Sequence, residues 1–164
     1  MIESSAFESR IVKSHLFLSK VVDGDGAFLN ESGNKSEFEI RFLVIDAPEI
    51  KLCRKLFQDE RETHIAGTLL MMLGRLSFNY LKELVLPGTL LNIELEKRNE
   101  VDPYGRKLAY VYLPNGRCLN EIMIAEGYAK PYSRYYCSEL TNYQLLNMKA
   151  KNERKGLYGI VDNF

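Results

Sequence analysis

The chain has 164 residues, carries 22 Lys and Arg against 22 Asp and Glu, and is 46% hydrophobic. That length fits one domain able to bury its own core without a metal or disulfide staple, and the composition excludes disordered and fibrous classes. The charge balance excludes a chain-wide polyanion-binding surface, so a site for nucleic acid would have to be local.

In chain order, the start Met1-Ile2-Glu3-Ser4 has an early acid and no apolar run, so it does not read as a signal peptide. A strand is predicted from Arg10 to Val22, ending at the turn-rich Asp23-Gly24-Asp25-Gly26. Ala27-Phe28-Leu29 forms a second strand, and Asn30-Glu31-Ser32-Gly33-Asn34 turns the chain. Phe38, Ile40, Phe42 and Val44 alternate with Glu37, Glu39 and Arg41, the period of a half-buried strand, and Ala47-Pro48 stops it. Ile65, Leu69, Met72 and Leu76 then recur at helical spacing, predicting one helix over roughly Asp59 to Leu84. Its longest apolar run, Ala66 to Gly74, is far below the ~20 residues that a membrane span requires, so no membrane span is expected. A fourth strand carries Leu91, Ile93 and Leu95, and a fifth runs from Lys107 to Leu113 after the loop Asp102-Pro103-Tyr104-Gly105. A short helix through Leu119, Ile122 and Met123 stops at Gly127, and a last helix is predicted from Ser138, as N-cap, to Gly156. Cys53, Cys118 and Cys137 are widely spaced and neither His15 nor His64 has a nearby partner, which argues against a zinc or redox site.

Five strands, one helix between the third and fourth, and two terminal helices predict an α+β fold: a five-stranded OB-fold β-barrel with three α-helices. Such barrels commonly bind oligonucleotides or oligosaccharides, but fold alone does not give function.

Three stretches place charge where turn or apolar residues would suffice: Asp23-x-Asp25, then Arg41 with Asp46-Ala47-Pro48-Glu49, then Arg106 after its loop. Each has an ordinary reading as turn chemistry or a surface ion pair. An EF-hand opened by Asp23 fails, because Ala27 stands where it needs a third oxygen ligand, Phe28 where it needs glycine and Asn34 where it needs Glu. Together the stretches supply what phosphodiester chemistry needs. Carboxylates suit a hard cation such as Ca²⁺, arginines match a phosphate, and a further carboxylate can activate water. One obstacle is geometric: on an ideal strand Arg41 and Asp46 face opposite sides, so a shared site requires a bulge or bend near Ile45 to Pro48.

At these residues the chain resembles the staphylococcal nuclease (thermonuclease) family. The resemblance rests on Val21-Val22-Asp23-Gly24-Asp25, Ile40-Arg41-Phe42-Leu43-Val44-Ile45-Asp46-Ala47-Pro48-Glu49 and Asp102-Pro103-Tyr104-Gly105-Arg106 through Tyr112. Asn120-Glu121, Glu126 to Lys130, and Lys155-Gly156-Leu157-Tyr158-Gly159 continue it in the same order. It implies a single nuclease-like domain over residues 1–164 with its core at about 10–159. It further implies a Ca²⁺-dependent endonuclease that leaves 3′-phosphate products on DNA and RNA, single-stranded or locally opened. Asp25, Asp46 and the carbonyl of Ala47 would ligate Ca²⁺, with Asp23 behind them. Glu49 would activate water, and Arg41 and Arg106 would hold the phosphate. Tyr104, Lys130, Tyr132 and Tyr135 would contact the substrate. A monomer is expected, and the resemblance favours a secreted or cell-envelope protein. Departures touch affinity more than chemistry: Gly26 replaces a hydroxyl residue, Pro103 a lysine, and Lys51 to Lys55 retain part of a lysine-rich loop. Further bases gather near the C-terminal end, Lys130, Arg134, Lys149, Lys151, Arg154 and Lys155 against Glu139 and Glu153. The competing reading is a nuclease-like OB module that binds nucleic acid or a protein partner without cleaving it.

Overall fold

A computed structural model describes residues 10–32 and 36–164. The N-terminal residues read above, and Gly33 and Asn34 of the expected turn, lie outside the described residues. Three strands come first, β1 (Arg10–Asp23), β2 (Gly26–Glu31) and β3 (Glu37–Phe42). A two-residue strand β4 (Ile45–Asp46) follows, then helices α1 (Arg54–Thr63) and α2 (Gly67–Leu84). Strands β5 (Leu90–Glu96) and β6 (Lys107–Tyr112), helix α3 (Leu119–Ala125), strand β7 (Lys130–Pro131) and helix α4 (Leu140–Asn152) complete the order.

The barrel closes in the order β1-β2-β3-β6-β5, with β5 pairing back onto β1. Among the described strands only β3 and β6 pair in parallel. Closure removes exposed sheet edges and needs strongly bent strands. The long β1 supplies the bending through register shifts at Lys13/Leu16, Leu18/Lys20 and Val21/Asp23. Alternation holds along β5, where Leu91, Ile93 and Leu95 are buried while Leu90 and Asn92 face out. The barrel interior gathers Leu29, Ile40, Phe42, Ile93 and Tyr110. A second cluster joins Leu73 of α2, Ala150 of α4, Leu157, Tyr158 and Phe164.

The α+β barrel and its five strands are as the sequence reads; the helix count is not. The described residues hold four α-helices instead of three, because the stretch read as one helix breaks at His64, which sits at φ 58°. Thr63 drives the break. Its hydroxyl donates to Asp59 O at 2.7 Å and accepts from Ile65 N at 3.3 Å, a local alternative to the helical ladder. The apolar period runs on through the gap, so periodicity alone does not reveal it.

The last helix also differs. It starts at Leu140, and Ser138 does not cap it: its hydroxyl donates to Glu96 Oε1 at 2.9 Å. It ends at Asn152, short of Gly156, where a turn of 3₁₀-helix begins and runs to Gly159. Gly127 does terminate α3 in the left-handed region, at φ 76°.

Candidate active site

The required bend between Arg41 and Asp46 falls slightly before the expected Ile45 to Pro48 stretch. Strand β3 ends at Phe42, and Val44 turns the chain at φ 66°. A β-branched residue holds that conformation only when its surroundings over-determine it. Here they do. Leu43 N donates to Ala109 O, Val44 O accepts from Tyr132 N, and Asn120 Nδ2 donates to Leu43 O at 3.0 Å. Asn120 is fully buried, and it also donates to Ala109 O and accepts from Val111 N. Strand β4 then pairs with β7, Asp46 opposite Lys130.

The bend brings Asp46 back onto the side of Arg41. Arg41 NH2 lies 3.1 Å from Asp46 Oδ1 and 3.6 Å from Asp25 Oδ2. Asp25 stands in the β1–β2 turn, where its N–H donates to Asp23 Oδ1 and its Oδ2 accepts from Ala47 N at 2.9 Å. Gly24 makes that contact possible: a Cβ there would lie 2.5 Å from Ala47 Cβ and 2.8 Å from Ser77 Cβ. Gly74 does the same on the other side. Helix α2 packs so closely on the Pro48-Glu49 backbone that a Cβ at Gly74 would meet Pro48 O at 2.5 Å. Thus Asp23, Asp25, Arg41, Asp46 and Ala47 form one connected group, with Glu49 held at its edge.

Burial sets the electrostatics. Asp25 is 4% and Asp46 3% exposed. Burial, then the nearby Asp23, push the Asp25 carboxyl up to about 7, with Arg41 and the Ala47 N–H pulling the other way. Glu49 is also raised, chiefly by burial, against the opposing Lys55 ammonium. Burial works against charge on Arg41, but Asp25 and Asp46 outweigh it and hold the guanidinium charged.

Lys55 and Asp59, both on α1, are the residues that sequence reasoning missed here. Lys55 Nζ lies 3.0 Å from Asp46 Oδ2, 2.8 Å from Asp59 Oδ2 and 3.6 Å from Glu49 Oε1. In the sequence Lys55 is one base of a basic run; an i,i+4 pair with Asp59 is the signal that could have singled it out.

Arg106 stands apart from the carboxylates. Its Nε donates to the buried Asp102 at 2.7 Å, and its NH1 comes within 3.9 Å of Glu39. The pairing of Ile40 with Lys107 and of Arg41 with Leu108 puts Arg106 beside Glu39, two positions before Arg41 on β3. Two strand residues span about 6.6 Å, so both arginines reach one face at neighbouring positions. Backbone N–H groups of Tyr104 and Arg106 and the Arg106 guanidinium outweigh burial at Asp102, so its pKa is lowered.

The expected substrate contacts divide. Tyr132 stacks beneath Arg41, with the guanidinium 5.5 Å from the ring centre, and Tyr104 is 83% exposed beside Arg106. Tyr135 is half-buried against the core, with Arg134 5.7 Å above it. The Lys130 amine is not free: it donates to Phe164 O at 2.6 Å. Of the C-terminal bases, Arg134 is exposed beside Tyr132 and Tyr135, and others face acids. Lys149 and Lys155 pair with Glu153, Lys155 also with Glu126, and Arg154 with Asp162. Cys118 and Cys137 are buried thiols whose pKa burial raises, so they are not reactive nucleophiles.

The buried Asp25 and Asp46 side chains offer oxygen donors of the kind a hard divalent cation takes, while the Ala47 group engaged with them is its N–H. Among the described residues no three Asp, Glu, His or Cys side chains are gathered to hold an ion by themselves. Such a set leaves coordination positions for water and phosphate oxygen. Burial first, and Asp23 next, disfavour the charged Asp25 carboxylate, and a bound cation would favour it.

Fold and site together define a closed OB-like barrel bearing an arginine–carboxylate cluster at the strand ends. A family model described as Staphylococcal nuclease homologue matches residues 39–159, and the chain belongs to that family. It is 28% identical over 155 residues to Endonuclease YncB of Bacillus subtilis (strain 168), covering 89% of this chain and 64% of that protein. It is 28% identical over 148 residues to Endonuclease YhcR of the same organism, covering 88% of this chain and 11% of that protein. An uncharacterized endonuclease of Escherichia coli O157:H7 is 29% identical over 143 residues, covering 87% of this chain and 76% of that protein. The chain therefore spans less than two-thirds of the two Bacillus relatives.

Proposed function

We propose that the chain is a metal-dependent endonuclease, with Ca²⁺ as its ion, that hydrolyses DNA and RNA to 3′-phosphate products. The observation that carries this reading is the meeting of Asp25 and Asp46 on the Arg41 guanidinium, at 3.6 and 3.1 Å, beside Glu49. Asp25, Asp46 and the Ala47 carbonyl are the residues to hold the ion. When bound, it would supply Lewis-acid stabilisation of charge on the phosphate oxygens.

The chain's own groups do the rest. Arg41, held charged and backed by Tyr132, presents a guanidinium that matches two phosphate oxygens. Arg106, aimed by its bond to Asp102, supplies a second from the neighbouring strand. Both are positioned before substrate arrives, so little reorganisation is needed as charge builds in the transition state. Glu49, with its pKa raised towards the working pH, accepts the proton of the attacking water. Tyr104 offers an exposed ring for a base to stack on, which favours single-stranded or locally opened substrate.

End-group analysis tests the reading. With Ca²⁺ and single-stranded DNA, the fragments should resist polymerase extension until a phosphatase removes their 3′-phosphates. Fragments extendable at once would contradict it. The second reading, a module that binds without cleaving, draws on the Lys55 ammonium seated on Asp46, and binding without cleavage in any divalent ion would favour it.

A further inference from the structure

We propose that Lys55 is a resident cation of the acidic site, which an incoming divalent ion must displace from Asp46 and which Asp59 then retains. The inference rests on the metal reading above and concerns what opposes the ion. Both oxygens of Asp46 are engaged, Oδ1 by Arg41 at 3.1 Å and Oδ2 by Lys55 at 3.0 Å. An ion taking Asp46 has to replace one of them. Arg41 is the less replaceable, because Asp25 and the Tyr132 ring also hold it. Lys55 sits on a flexible four-carbon stem and can swing without moving the backbone.

The structure also provides the place to which it swings. Asp59 lies one turn further along α1, 2.8 Å from the Lys55 amine. The Lys55–Asp59 pair is intrahelical, so it survives loss of the Asp46 contact. Glu49, at 3.6 Å, is released by the same movement. Four carboxylates, Asp25, Asp46, Glu49 and Asp59, are thereby partnered by two cations before any ion binds. The device keeps buried acids paired without metal and lowers the affinity for the ion by the work of displacement. A divalent cation, with twice the charge, can displace the amine; a monovalent one of similar size cannot.

Calorimetric titration with Ca²⁺ tests this in the wild type, Lys55→Gln, Asp59→Asn and the double variant. Lys55→Gln should tighten binding by about tenfold, the scale of one partly buried charge pair. Asp59→Asn alone should weaken it, because the displaced amine loses its second seat. In the Lys55→Gln background Asp59→Asn should change little, since Asp59 acts through Lys55. Wild type that binds Ca²⁺ no more weakly than Lys55→Gln would overturn the inference and leave the metal reading standing. An equal Asp59→Asn penalty in both backgrounds would also overturn it, showing only the general field of a carboxylate. Absence of binding in both wild type and Lys55→Gln would overturn the metal reading and the inference with it. A measurement on the unaltered protein guards against misfolding of the variants. Acylation of the Lys55 amine, followed by mass spectrometry, should speed up severalfold on adding Ca²⁺, and an unchanged or slower rate contradicts displacement.

Discussion

Arg41 and Arg106 are anchored differently, and substitutions should separate them. Arg106→Ala should slow cleavage by roughly 10³-fold, the scale of a phosphate-stabilising arginine. It should reduce stability by only about 1 kcal/mol, because Asp102 keeps the N–H bonds of Tyr104 and of residue 106. Rates on single-stranded DNA and urea melts check both figures. Asp25 makes the metal-free protein pH-sensitive. Its folded pKa of about 7 lies above the ordinary 3.8, so the folded state binds that proton more tightly than the unfolded chain. Stability without metal should therefore rise as pH falls from about 7 towards 4 and diminish as pH is raised again. Ca²⁺ affinity should run the other way, because the ligand must be a carboxylate. Thermal melts in chelator at about pH 7.5 and about pH 5.5 should give the higher Tm at the lower pH; the reverse order would show Asp25 already ionised in the fold. The types of Asp25, Arg41, Asp46 and Glu49 are legible in the sequence, because each breaks an otherwise apolar or turn pattern. Lys55 is not legible. Its role depends on α1 beginning at Arg54, close behind Glu49, and one more base in a basic run carries no sign of that.

At the scale of elements, the site depends on how two segments are pinned. Asn120 on α3 fixes the Leu43–Val44 bend through three buried bonds. Asn120→Leu should destabilise the protein by about 2–4 kcal/mol, as the Leu43 carbonyl and the Val111 N–H lose their bonds to it and Ala109 O keeps only Leu43 N. Denaturant unfolding checks it, and a change under 1 kcal/mol would show the bend to be self-supporting. Gly74→Ala should push α2 from the Pro48-Glu49 backbone, costing about 1–3 kcal/mol and lowering kcat through Glu49. The barrel strands are legible because period-two alternation directly encodes a half-buried face. The breaks are not. Val44 continues the apolar alternation of β3 yet turns out of it, and Thr63 ends α1 through its hydroxyl while the apolar period continues. Both are decided by tertiary or side-chain hydrogen bonds that no periodicity reports. The β4–β7 pair is hidden for the same reason, two residues being too few to show a pattern.

For the molecule as a whole, the equal counts of acids and bases take on a definite layout. Several basic residues near the C-terminal end sit beside acids or carbonyls, Lys130, Arg154 and Lys155 among them, whereas Arg134 stays exposed next to Tyr132 and Tyr135. In the proposed reading the grip on nucleic acid rests chiefly on Arg41 and Arg106, with the exposed Tyr104 ring beside Arg106. Binding of single-stranded DNA, measured in Ca²⁺ with Glu49→Gln to suppress turnover, should therefore lose affinity with salt at a log–log slope of about −2, some three phosphates. A slope steeper than about −5 would reveal a basic footprint elsewhere. The proposed hydrolysis uses a buried pair of aspartates, two arginines and Glu49, and depends on a divalent ion. The most direct measurement is the rate of single-stranded DNA and RNA cleavage by wild type and Glu49→Gln, each with Ca²⁺ and with chelator. Wild type should cleave in Ca²⁺ and lose cleavage in chelator, and Glu49→Gln should be slower by at least about 10²-fold. Undiminished cleavage in chelator, or by Glu49→Gln, would contradict this mechanism.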